Sequence, residues 1–107
     1  MTTFDNREKA EEAVFAAKES SEFEIRARRD RFMGHWAAGL MGLEGDAAKA
    51  FAKSLVVEDL EHPGDDHLIE KLQKDFAAKG VEVSRETIVT ALADKMTEAQ
   101  AQLKAGR

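Results

Sequence analysis

The chain has 107 residues, 43% hydrophobic and 35% charged, with a formal net charge of −5 and no cysteine. That length holds one small domain with a modest core, and an acidic surface speaks against nucleic acid or an anionic membrane as the partner. The absent cysteine excludes a disulfide framework, a thiolate metal site and a Cys nucleophile.

Ala, Glu, Lys, Leu and Arg dominate, with one proline and no tyrosine, a mixture that favours helix. The first predicted segment runs from about Thr3 to Ser20. Asp5 and Glu8 have the spacing of a capping box, and Asp5 and Lys9 stand four apart in the favourable charge order. Its large apolar residues are only Phe4, Val14 and Phe15, and Glu8, Glu11 and Glu12 interrupt any core stripe. A short helix with so little to bury is marginal alone, so a mobile or partly helical extension is expected. Helix-start signals and phenylalanine anchors are what a segment needs to fold into a partner's groove.

The second segment covers about Glu22 to Met41, with Ser20-Ser21 too weak a break to rule out one continuous helix. Ile25, Phe32, Trp36, Leu40 and Leu43 recur at spacings of seven, four, four and three, the pattern of a core stripe. Glu22 with Arg26 and Glu24 with Arg28 are spaced as i, i+4 pairs. Arg26, Arg28, Arg29 and Arg31 make a basic cluster in an acidic protein. Solvated helix surface is the plainer account of them; docking to an acidic surface or a phosphate group is the functional one.

The third segment is predicted from an N-cap at Asp46 to about His62, with Ala48, Phe51, Leu55, Val56 and Leu60 facing the core. Pro63-Gly64 should end it. The fourth starts at Asp65 or Asp66 and reaches Lys79, with Leu68, Ile69, Leu72 and Phe76 inward and Gly80 after its end. The fifth starts at an N-cap on Ser84 and carries Ile88, Leu92, Met96, Ala99 and Leu103. Val81 and Val83 read as a packed extended linker. Short loops make successive helices antiparallel neighbours. The fold class is therefore all-α: a four-helix bundle over 21–107 with an N-terminal extension over 1–20.

Catalytic signatures are missing. Gly34 to Gly39 has the glycine spacing of a P-loop, but Leu40 and Met41 stand where Lys and Ser or Thr are needed, so close helix packing is the expected role. Glu61, His62, Asp65, Asp66 and His67 crowd one turn at no metal-ligand spacing, and acidic residues there suit a helix N-terminus. No enzyme activity, required cofactor or metal is expected. No run of about 18 apolar residues exists to span a membrane, and the N-terminus lacks the apolar core of a secretion signal, so the cytosol is the default compartment.

Thr3-Phe4-Asp5-Asn6-Arg7-Glu8-Lys9-Ala10, followed by Phe15-Ala16, resembles the N-terminal signature of the zeta subunit family, inhibitors of the alphaproteobacterial F-type ATP synthase. Ala27-Arg28-Arg29-Asp30-Arg31, Gly34, Trp36-Ala37-Ala38 and Gly42-Leu43 are similar to that family's central block. The resemblance implies a cytoplasmic regulator, monomeric when free, that binds the catalytic head and associates with the membrane only through the synthase. It further implies that the N-terminal helix enters a catalytic interface and blocks rotation in the ATP-hydrolysing direction. Phe4, Asp5, Arg7, Glu8, Lys9, Val14 and Phe15 would then be the contact residues. Glu11 and Ser21 stand where this family is expected to carry large apolar residues, which implies a weaker inhibitory helix. The alternative is a binding module with weak affinity for ATP or ADP through the arginines at 26–31.

Overall fold

The computed structural model describes residues 3–106, with side chains from residue 21 onward. They form four helices: α1 (Thr3–Leu40), α2 (Gly45–Glu61), α3 (Asp65–Ala78) and α4 (Arg85–Lys104). Among the described residues there is no strand. The first two predicted segments are one helix, because Ser20-Ser21 offers no glycine or proline to stop it. The expected side-chain contacts of residues 1–20 lie outside the described residues.

The helix ends follow from local chemistry. Gly42 has φ 76° and Gly80 φ 70°, a region that costs other residues a clash at Cβ. At each, two carbonyls of the last turn are satisfied in the Schellman manner. Leu43 N–H donates to Ala38 O at 2.8 Å and Gly42 N–H to Gly39 O at 3.2 Å; Val81 N–H donates to Phe76 O at 2.9 Å and Gly80 N–H to Ala77 O at 3.1 Å. Ser84 caps α4, its Oγ accepting from Thr87 N–H at 3.1 Å. The expected cap at Asp46 does not form. The helix starts one residue earlier, Glu44 is the flanking residue, and Asp46 sits in the first turn.

The core gathers Met33 from α1, Leu55 from α2, Leu68, Leu72 and Phe76 from α3, and Ile88 from α4, all essentially inaccessible. Burying each such side chain is worth about 1.5–3 kcal/mol. Val81 and Val83 pack against this core from the linker, as their half-apolar pattern predicts. Trp36 lies at its margin, edge-on to Phe76 with ring centroids 5.9 Å apart.

α3 and α4 bury the stripes expected of them, although Met96 and Leu103 are only half-buried. In α1 and α2 the buried face is rotated from the expected one. The α1 face is Arg29, Asp30, Met33, Gly34 and Ala37, with Trp36 half-buried and Leu40 exposed; the α2 face is Ala52, Leu55 and Asp59, with Leu60 exposed. Beside Met33 and Leu55, small and charged residues take the places on the α1–α2 seam that Trp36, Leu40 and Leu60 were expected to fill. A Cβ on Gly34 would collide with the backbone of Ala52, so this glycine permits the close approach of the two helices. Gly39 has nothing within 4 Å of its Cβ position and makes no such approach.

Candidate functional site

The arginine cluster separates into two environments. Arg26 and Arg29 lie one turn apart on α1 and face the end of α2 and the start of α3. Arg26 donates from Nε to Asp59 Oδ2 at 2.7 Å and from Nη2 to Asp59 Oδ1 at 3.1 Å, a two-point fork onto one carboxylate. Arg29 donates from Nε to Asp30 Oδ1 at 3.0 Å, and its Nη2 lies 3.0 Å from Asp65 Oδ1 and 3.6 Å from Asp59 Oδ2. Nη2 thus sits at ion-pair distance from its carboxylates without the alignment of a hydrogen bond. Asp65 is the first residue of α3, where the helix dipole favours its charge. Three helices are tied at one point. The expected pairs Glu22–Arg26 and Glu24–Arg28 do not form among the described residues; Arg26 turns inward to Asp59 instead, and Arg28 lies toward α4.

Arg29, Asp30 and Asp59 are buried, at 3%, 1% and 7% exposure, so their protonation states are coupled to the fold. Burial first, and then a hydrogen bond with Asp59, push the Asp30 carboxyl up to about 8, against the pull of Arg29. Burial also penalises charge on Asp59, but the fork from Arg26 and the hydrogen bond from Asp30 hold it below the usual carboxylate range. The hydrogen bond to Asp59 raises the Arg26 guanidinium above its ordinary value, against its own partial burial. At neutral pH, Asp30 is therefore the neutral acid donating to an ionised Asp59. Two guanidinium charges face two carboxylate charges, those of Asp59 and Asp65. The acid and the carboxylates of this cluster are turned onto each other and onto the two arginines, and together they join α1, α2 and α3.

Above the cluster lies a hollow of about 240 Å³, lined by Phe23 and Ala27 of α1, Val56 and Leu60 of α2, and Pro63 of the turn. Arg28 and Arg31 point elsewhere. With Phe32, His35 and Gln102 they line a shallow hollow of about 340 Å³ between α1 and the end of α4. Arg28 Nη1 is buried there with no hydrogen-bond partner among the described residues. His62 and His67 face each other with ring centroids 5.7 Å apart, and among the described residues no three metal-ligating side chains converge. Phe4, Asp5, Arg7, Glu8, Lys9, Val14 and Phe15 belong to α1, and their side chains lie outside the described residues.

The family model of ATPase inhibitor subunit zeta matches residues 1–102. The chain belongs to this family. A search of curated proteins found no match. The match covers the N-terminal segment and nearly all of the four helices. Membership makes the chain an ATPase inhibitor subunit, a regulatory protein with an ATPase as its partner. No helix among the described residues is long and apolar enough to cross a membrane.

The sequence reading passed over Asp59, met Asp30 only inside the family's central block, and took Asp65 only as a helix start and a member of the acidic turn. A signal existed for two of them. Asp59 stands four residues after Leu55 and seven after Ala52, on the buried stripe of α2; Asp30 stands three before Met33 on that of α1. Charges at core positions of successive helices, with arginines one turn away, announce a buried network.

Proposed function

We propose that the chain inhibits the F-type ATP synthase by inserting its N-terminal helix at a catalytic interface of the head, blocking rotation in the ATP-hydrolysing direction. The observation that carries this reading is the continuity of α1: one helix runs from Thr3 to Leu40, from the segment that resembles the inhibitory signature into the bundle. A load on the arm is then transmitted to a body too large to follow it. The ion cluster of buried Arg29, Asp30 and Asp59 with the more exposed Arg26 and Asp65 braces that helix against α2 and α3 where it joins the bundle. Phe4 and Phe15 act as anchors, with Val14 beside Phe15, while Asp5, Arg7, Glu8 and Lys9 set register. The test is the concentration giving half-maximal inhibition of hydrolysis by purified synthase. Phe4→Ala and Phe15→Ala should each raise it about tenfold or more, as loss of a buried aromatic anchor does. Unchanged inhibition by both variants would remove the insertion mechanism.

Weak ATP or ADP binding is a second reading, favoured by the unpartnered Arg28 Nη1 in the hollow with Arg31 and His35. Arg26 and Arg29 are committed to carboxylates, which confines such a site to Arg28 and Arg31. Nucleotide titration followed by NMR should shift Arg28, Arg31 and His35 amides together; shifts scattered elsewhere would dismiss the site.

A further inference from the structure

The ion cluster at the root of the arm holds one acid too many. Three carboxyls, those of Asp30, Asp59 and Asp65, meet the two guanidiniums of Arg26 and Arg29. Asp59 is taken up by the two-point fork from Arg26, and the Asp65 side chain is half in solvent at the start of α3. Asp30 is 1% exposed, and its only ion-pair partner is Arg29, which it shares with Asp59 and Asp65. The charged groups of the site are thus Arg26 and Arg29 from α1, Asp59 from α2 and Asp65 from α3; α4 lends it no ion pair among the described residues. A second buried carboxylate beside Asp59 would be a like charge out of water, so the pair keeps one proton. Asp30 and Asp59 border the hollow of about 240 Å³, which gives solvent a route to the edge of the pair.

We propose that this joint is a proton-operated latch: while Asp30 and Asp59 share one proton the arm is held firmly to α2 and α3, and when that proton leaves the arm loosens and the protein inhibits less. The inference rests on the insertion reading above and adds to it a signal, alkaline surroundings, that turns inhibition down. The latch works through Arg29. In the protonated state its Nη2 stands 3.0 Å from Asp65 on α3 and 3.6 Å from Asp59 on α2, so one guanidinium links three helices. An ionised Asp30, one residue away on the same helix, claims that guanidinium for α1 and weakens its ties to α2 and α3. It also faces Asp59 as a like charge, which drives α1 and α2 apart at this point. The raised value of the Asp30 carboxyl, about 8, puts the change just above neutrality.

The half-inhibitory concentration for ATP hydrolysis by purified synthase, measured at pH 7 and pH 9, tests the latch. If only the protonated form inhibits, one group titrating near 8 raises the value for the full-length protein about tenfold over that span. Asp30→Asn has no proton to lose there, so its own value should change far less, and any change it shows belongs to the synthase or the arm. Equal rises for the two proteins would overturn the latch. So would a melting transition of the parent at pH 9 below the assay temperature, since inhibition would then be lost by unfolding. A second readout needs no variant and does not depend on how the protein inhibits. Followed by NMR in the free full-length protein, the Asp30 side-chain carboxyl should titrate between pH 7 and pH 9. Amide protection factors, which correct for the direct effect of pH on exchange, should fall over residues 26–30 more than at Leu72 in the core of α3. A carboxyl silent over this range, or protection lost equally at both places, would also overturn it. Failure of the insertion reading has a different signature: Phe4→Ala and Phe15→Ala would then inhibit like the parent at pH 7, whatever Asp30 does.

Discussion

Asp30 holds a proton at neutral pH at the centre of a charged cluster, and this gives the bundle an unusual pH dependence. Its folded-state value of about 8 lies above its ordinary 3.8. The stability it contributes is complete below the ordinary value and is lost as pH rises through the folded one, at up to about 1.4 kcal/mol per pH unit. Asp59 has the opposite sign: its folded value is lowered, so its contribution is present above 3.8 and fades as pH falls through that lower value. Between these limits Asp30 governs. Asp30→Asn keeps the donor to Asp59 and the acceptor for Arg29 but cannot ionise. Urea denaturation across pH should therefore show Asn gaining on Asp steadily from about pH 5 to pH 8, with the Asp30 protein the one that loses stability. Parallel curves for the two proteins would refute the protonated Asp30. Asp59→Ala should cost about 3 kcal/mol, the low end for a broken buried pair, because it strips one carboxylate from buried Arg29 while Arg26 stays partly in solvent.

At the scale of helices, the α1–α2 seam is set by what is small. Gly34→Ala adds a helix-favouring methyl, yet its Cβ would press on Ala52 backbone, which cannot move aside as a flexible side chain could. It should destabilise the bundle by about 1–3 kcal/mol, the usual cost of overpacking. Gly39→Ala meets open space in the same helix and should stabilise it by up to about 1 kcal/mol. Equal effects of the two in a thermal melt would contradict the close approach. The same seam explains what the sequence left hidden. In α3 the large apolar residues are the buried ones, so the stripe of Leu68, Ile69, Leu72 and Phe76 was legible from spacing alone. In α1 and α2 hydrophobicity points to Trp36, Leu40 and Leu60, while burial falls on Gly34, Ala37, Ala52, Asp30 and Asp59. A stripe of glycine, alanine and paired charges has no hydrophobic signal, and it becomes visible only when both helices are laid side by side. For the same reason the four arginines read as one surface cluster, although Arg26 and Arg29 belong to an internal network and Arg28 and Arg31 to another face.

The whole molecule is a compact body with its first helix prolonged at one end. The family resemblance legible in the N-terminal and central blocks agrees with the match over residues 1–102, and the fold places the arm and its brace on one element. On the insertion reading proposed above, residues 1–20 inhibit and residues 21–107 hold them. Deleting residues 1–20 removes neither the buried core nor the ion cluster, so the remaining bundle should fold with a melting transition close to that of the full chain. Such a protein gives the most direct measurement of the central claim. ATP hydrolysis by the purified synthase is followed as full-length protein, or the protein lacking residues 1–20, is added. Hydrolysis should fall with the full chain and stay at its starting rate with the truncated one. Equal inhibition by the two would place the inhibitory element in the bundle and contradict the account.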